Sequence, residues 1–163
     1  MIQKTLVLIK PDGVQRGLIG EIIKRLEQRG LKIIAMKMVQ ADRILAEKHY
    51  TESITEKHGE KARISLIDYI MYGPVIAMVV QGSSAITLVR KIVGATFPGD
   101  ADIGTIRGDF THMSKARTRQ INKGYNLVHA SENEEDSKKE IGLWFSDKEI
   151  HDYKLSAEDY LLG

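Results

Sequence analysis

Gln3-Lys-Thr-Leu-Val-Leu-Ile-Lys10, closed by Pro11-Asp-Gly13 and followed by Ile19, Ile22, Ile23 and Leu26, is the stretch whose reading decides the fold. The segment Gln3 to Lys10 is rich in Leu, Val and Ile and ends on a turn cluster, the pattern of a buried strand. The apolar residues after it recur at i, i+3, i+4 and i+7, one face of a helix, with Gly30 where that helix stops. Leu31 to Gln40 then reads as a second strand, so the chain opens β-α-β.

Working outward, Asp42 is placed to cap a short helix running through Tyr50. Thr51 to Tyr72 reads as helical with a less regular pattern, and Gly73-Pro74 breaks it. Val75 to Gln81 makes a third strand. Ser84 is expected to cap a helix whose stripe is Ala85, Leu88, Val89, Ile92 and Val93, ended by Gly94. Ala95 to Ile106 reads as loop, Tyr125 to Ala130 as a last strand, Ser137 to Phe145 as a helix, and Ser146 to Gly163 as a mixed tail. No linker or repeat divides the chain, which predicts one domain over 1–163. Two interleaved β-α-β units predict an α+β, ferredoxin-like fold: a four-stranded antiparallel sheet with helices on one face.

Composition narrows the function classes. The chain has 163 residues, and 24 Lys+Arg against 22 Asp+Glu leave a net charge of +2. That balance suits phosphate-bearing ligands without demanding a nucleic acid. There are no cysteines, which excludes disulfides, thiol nucleophiles and cysteine-ligated zinc. The longest apolar run, Val75 to Val80, is far short of the ~20 residues of a membrane span. The first residues lack the pattern of a secretory signal, so the expected location is the cytoplasm.

Motif searches return mostly decoys. Gly94-Ala-Thr-Phe-Pro-Gly99 has the glycine spacing of a phosphate loop, but Asp100 stands where the lysine belongs. His49, His58, His112, His129 and His151 show no metal-ligand spacing. What remains is a set of polar groups near element ends: Lys10, Arg90, Thr96, Arg107, and the run Asn126-Leu-Val-His129-Ala-Ser131, with Glu140 eleven residues beyond the histidine. Two arginines, a lysine and a hydroxyl can surround a polyphosphate, and a neutral imidazole can attack its terminal phosphorus.

Each group also has a plainer reading. His129 alternates with Leu127 and Tyr125 and fits a strand position. Ser137-Lys-Lys-Glu140 before Ile141 is a capping-box pattern. Arg90 sits near a helix C-terminus, where the dipole favours any cation. Lys10 before a turn suits a solvated surface, and Tyr50 at a helix end suits packing. Arg107, in the stretch from Gly104 to Gly108, is unusually placed for a merely solvated arginine, which favours function; as a surface arginine its removal is expected to change stability little.

Several segments, in order, resemble the nucleoside diphosphate kinase family over nearly the whole length: Thr5-Leu-Val-Leu-Ile-Lys-Pro-Asp-Gly-Val14, Gly73-Pro74-Val75, Gly104-Thr-Ile-Arg-Gly-Asp-Phe110, Asn126-Leu-Val-His-Ala-Ser131 and Lys139-Glu-Ile-Gly-Leu-Trp-Phe145. The resemblance implies a ping-pong transfer of the γ-phosphoryl group from a nucleoside triphosphate to a nucleoside diphosphate through a phosphohistidine. It implies His129 as nucleophile and Glu140 as its orienting carboxylate. Lys10, Tyr50, Arg90, Thr96, Arg107, Asn126 and Ser131 are then the nucleotide-binding set. It also implies Mg2+ held mainly by the phosphates, and a homo-oligomer, most commonly a hexamer. The chain departs from the family in three places: Glu132 replaces an Asp, no aromatic lies between Tyr50 and Leu66, and a basic insertion carries Lys115, Arg117, Arg119 and Lys123. A rival reading takes that basic segment, 115–123, on a ferredoxin-like sheet as an RNA-binding module.

Overall fold

Leu6, Val7, Leu8 and Ile9 are all fully buried, so the first strand is apolar on both faces. The computed structural model describes residues 1–162 and runs in the order β1 (Ile2–Ile9), α1 (Pro11–Gln15), α2 (Ile19–Gln28), β2 (Lys32–Val39), α3 (Arg43–His49), α4 (Glu52–His58), α5 (Glu60–Met71) and β3 (Val75–Ser83). It continues with α6 (Ala85–Val93), α7 (Ile106–Phe110), α8 (Lys115–Ile121), β4 (Val128–Ala130), α9 (Glu134–Trp144) and α10 (Glu158–Leu162). Short 3-10 turns occur at Pro98–Asp100 and Asp147–Glu149.

The four strands form one sheet in the order β2-β3-β1-β4, and every neighbouring pair is antiparallel. This is the expected ferredoxin-like arrangement, with β1 opposite β3 from Ile2↔Ser83 to Ile9↔Ile76. The expectation of helices on one face needs correction, because both faces are covered. Val7, Ile9, Met78 and Val80 pack on Ile22 and Leu26 of α2 and Val89 and Val93 of α6. Leu6, Leu8, Ala77 and Val79 pack with Ala46 of α3, Ile67 and Ile70 of α5 and Trp144 of α9. A strand without apolar–polar alternation must be covered on both sides, and β1 is such a strand.

Several local expectations also shift. Thr51 to Tyr72 forms two helices, because Gly59 takes φ +88° between α4 and α5. The basic insertion forms α8, capped by the Ser114 side chain on the Arg117 N–H. Asp42 caps α3 as expected, accepting from the Leu45 N–H, whereas Ser84 makes no side-chain cap. α9 starts earlier than the apolar pattern indicates: Asn133 is its cap, and Ser137 lies inside it, bonded to the Lys4 carbonyl. The final strand is shorter than expected, Val128–Ala130.

Candidate active site

The geometry starts at a strained residue. Leu127 has φ +68°, a left-handed backbone that a leucine adopts at a penalty of order 1–3 kcal/mol. Two contacts from the β1 end hold it there. The Lys10 N–H donates to the Leu127 carbonyl at 2.8 Å, and the Leu127 N–H donates to Asp12 Oδ2 at 3.2 Å. Asp12 is fixed in turn by the Tyr69 hydroxyl. This kink turns the chain into β4, where His129 pairs with Leu8 in the sheet.

Within β4 the imidazole is clamped. His129 Nε2 lies 2.9 Å from Glu140 Oε2. The Ser131 hydroxyl donates to the same oxygen at 2.6 Å and accepts from the Leu6 N–H at 3.2 Å. A carboxylate oxygen that already accepts from Ser131 calls for a second donor from the ring, so the proton belongs on Nε2. The free lone pair is then on Nδ1. Glu140 is therefore not a capping residue: the cap of α9 is Asn133, and Glu140 sits on the helix face that meets β4.

Around the histidine lies a cavity of about 1650 Å3. Its wall includes Lys10, Tyr50, Arg90, Thr96, Arg107, Asn126, His129 and Glu140, which brings eight of the nine residues singled out in the sequence to one place. Ser131 is the exception. It is fully buried, does not line the cavity, and its hydroxyl is committed to Glu140 and the Leu6 amide. In this position it supports Glu140 from behind the cavity.

The cationic groups are unequal. Lys10 is buried, donates to Asn126 Oδ1 at 2.8 Å, and has its pKa lowered to about 7 by burial and then by Arg107, against the opposing pull of Asp12. Arg107 is buried too, contrary to the surface reading. Its guanidinium donates to the carbonyls of Asn126 (3.0 Å), Gly94 (3.0 Å) and Val128 (2.6 Å). Burial, followed by the neighbouring Arg90, lowers its pKa to about 10 and leaves it charged at neutral pH. Arg90 is exposed on α6, and Thr96 is exposed in the loop after it. The Asn126 amide joins the two sides, donating to the Thr96 carbonyl at 2.9 Å while accepting from Lys10.

Two polar atoms stand out. Tyr50 Oη is buried with no hydrogen-bond partner among the described residues, and burial pushes its phenol far above the ordinary value. His49 was not singled out in the sequence, yet its ring touches that of His129 at 4.5 Å between centroids. The adjacent Tyr50 was the only hint to it. His49, His129 and Glu140 are also the one group of histidines and acids close enough to chelate among the described residues. Two imidazoles and a carboxylate do not suit magnesium, which takes oxygen ligands. The Trp144 N–H, 3.3 Å from His49 Nδ1, further leaves that ring with a protonated Nε2 and no lone pair for a metal.

Comparison with known proteins agrees with this geometry. The model of the nucleoside diphosphate kinase family matches residues 3–150. The nucleoside diphosphate kinase of Archaeoglobus fulgidus is 50% identical over 161 residues, which are 98% of this chain and 97% of that protein. That of Pyrococcus abyssi is 52% identical over 160 residues, 97% and 92% of the two chains. Among solved structures, a transition-state mimic of the Borrelia burgdorferi nucleoside-diphosphate kinase with bound vanadate and ADP superposes with a TM-score of 0.96 at 46% identity, covering 98% of this chain and 96% of that one. A halophilic nucleoside diphosphate kinase from Halobacterium salinarum in complex with CDP gives 0.87 at 39% identity, with both chains fully covered. With the fold, the clamped histidine and relatives matching along nearly its whole length, the chain belongs to the nucleoside diphosphate kinase family.

Proposed function

We propose that this nucleoside diphosphate kinase works by two in-line transfers through His129. The observation that carries the reading is the bond from His129 Nε2 to Glu140, which leaves Nδ1 as the nucleophilic nitrogen beside a cationic cavity. Nδ1 attacks the γ-phosphorus, the bond to the β-phosphate oxygen breaks, and the nucleoside diphosphate leaves. The Nε2 proton stays on Nε2, where Glu140 balances the charge that the ring acquires. A second nucleoside diphosphate then attacks the phosphohistidine and reverses the chemistry. Arg90, Arg107 and Thr96 stabilise the equatorial oxygens, while Lys10 and the orphan Tyr50 hydroxyl supply further donors. Asn126 holds Lys10 and Thr96 in register.

Magnesium fits this site as a companion of the nucleotide. The lining near His129 includes Lys10, Arg90 and Arg107, which offer a cation no ligand, so magnesium would be held by the nucleotide's phosphates and would supply neutralisation of their charge. Acceptance of varied bases is supported by the ADP and CDP bound to the two structural neighbours. A homo-oligomer, commonly a hexamer in this family, is supported by the open edge of β2 with its exposed Met36 and Met38, and by the exposed Ile103. Light scattering on the purified chain reads its size. One domain over 1–163 and a cytoplasmic site of action complete the proposal; among the described residues no helix is long and apolar enough to cross a membrane. The RNA-binding reading is not favoured, since helices cover both sheet faces and leave none open for stacked bases.

The test is the intermediate. Radiolabel from the γ-position of ATP is expected on the protein without any acceptor, labile in acid, stable in alkali, mapped to His129, and discharged by a nucleoside diphosphate. His129→Ala should abolish it and Ser131→Ala should not. Acid-stable label, or label persisting in the His129 variant, overturns the mechanism.

A further inference from the structure

His49 closes α3 and is buried against three rings. Its centroid lies 4.5 Å from His129 at 82°, 4.7 Å from Tyr50 at 69° and 5.6 Å from Trp144 at 87°, all edge-to-face. Trp144 Nε1 lies 3.3 Å from His49 Nδ1. An indole N–H can only donate, so Nδ1 accepts, and in a neutral imidazole the proton sits on Nε2. That Nε2 is buried with no hydrogen-bond partner among the described residues.

A helix C-terminus ordinarily favours a charged histidine. Here the surroundings work the other way. Burial, His129 of β4 and Lys10 at the end of β1 hold the His49 pKa well below its ordinary value. The remaining polar groups near it are Tyr50 and Glu140 of α9, and Glu140 is committed to His129 and Ser131. An apolar ring would fill the same space without burying an unpaired donor. A neutral imidazole there has a specific advantage. Attack through Nδ1 places positive charge on the His129 ring, and a second cation in ring contact would oppose it.

We propose that His49 is a positioning residue for the phosphoryl transfer: Trp144 locks it in the tautomer protonated on Nε2, and its ring braces His129 so that Nε2 stays on Glu140 and Nδ1 faces the cavity. This rests on His129 being the nucleophile. Misplacement of a reacting group by about 1 Å can slow a reaction ~10²-fold, so a loosened brace should appear in turnover before binding.

The test uses His49→Phe, which keeps an aromatic ring but removes both nitrogens, and His49→Gln, which keeps an acceptor for Trp144 but removes the ring. Trp144→Phe removes the N–H that forms the lock while keeping a ring in the core. In variants that retain the wild-type circular dichroism spectrum, kcat is expected to fall about tenfold or more while nucleotide KM stays within about twofold. Histidine 15N spectra of the wild type should show His49 with a bare Nδ1 and a protonated Nε2, unchanged between about pH 6 and 8. Trp144→Phe should disturb that pattern. Wild-type kcat in folded His49→Phe, a rise in KM alone, or titration of His49 in that range overturns the proposal. Label mapped to a residue other than His129 overturns the underlying mechanism instead, so the two failures are distinguishable.

Discussion

The Arg107 guanidinium donates to three main-chain carbonyls, which uses three of its five N–H groups and leaves the others for phosphate. Those carbonyls belong to the loop before β4, to β4 itself and to the end of α6, so the side chain ties the strand bearing His129 to the helix bearing Arg90. Arg107→Ala should therefore lower turnover by roughly 10²-fold and also destabilise the fold by ~2–4 kcal/mol, as buried carbonyls lose charged donors. Calorimetric melting beside steady-state kinetics checks both; an unchanged melting temperature would leave only the phosphate role. Lys10 carries a pH prediction. Its folded pKa of about 7 lies below the ordinary 10.5, so between these values the unfolded chain holds more protons, and this group's contribution to stability falls as pH drops through that window. A bound polyphosphate pulls the pKa back up. Nucleotide binding near pH 8 should take up a fraction of a proton, and affinity should weaken as pH rises above 8. Titration calorimetry in two buffers of different ionisation enthalpy measures it, and Lys10→Met should remove the uptake.

Glycines in two short elements give opposite expectations for one substitution. A Cβ at Gly108 in α7 would clash with the Asp102 carbonyl oxygen, so Gly108→Ala must displace α7 and with it Arg107. A loss of ~1–3 kcal/mol or more, with a fall in activity, is expected. Gly142 in α9 has nothing within 4 Å of its built Cβ, and Gly142→Ala should stabilise by up to ~1 kcal/mol through helix propensity. Thermal melts of both variants decide. The same contrast separates what is legible in the sequence from what is not. β1, α2, β2, β3 and α6 are legible because their apolar spacing reports burial directly. The second covered face was also present in Leu6 to Ile9, which do not alternate, but a fold-class expectation outweighed it. The start of α9 is not legible from apolar pattern, because its first turn is Glu134, Glu135 and Asp136, held by a cap rather than by packing. His129, Arg90 and Glu140 carry little signal from spacing alone, since the kink at Leu127 and the sheet bring them together across long separations. Their place near element ends makes them candidates, only the family resemblance gives each a role, and neither signal reaches His49.

Across the whole molecule, a net charge of +2 hides a strong local imbalance. Lys57 and Lys61 on one wall of the cavity face it together with Lys115, Arg119 and Lys123 on the other, and none of these five forms an ion pair among the described residues. Lys115 and Lys123 instead lie over the rings of Phe97 and Tyr125, at 5.3 and 5.8 Å from the centroids. The two walls are fastened where Ser65 donates to the Asn122 carbonyl at 2.5 Å. Glu132, Glu135, Asp136 and Glu140 also line the cavity, but its cations outnumber them. A cleft with a mainly positive lining concentrates anionic substrate and speeds its capture, and the effect fades as salt shortens the Debye length from about 10 Å at 0.1 M to about 3 Å at 1 M. Over that range kcat/KM for a nucleoside triphosphate should fall by roughly tenfold, with most of the change in KM, because Lys10 and Arg107, proposed to act at the reacting phosphate, are buried and screened far less. The triple variant Lys115→Ala, Arg119→Ala, Lys123→Ala should start from a lower kcat/KM at low salt and show a flatter slope, with kcat preserved. An unchanged slope would mean that α8 faces the nucleotide without steering it, and a collapse of kcat would mean that it holds the bound phosphates.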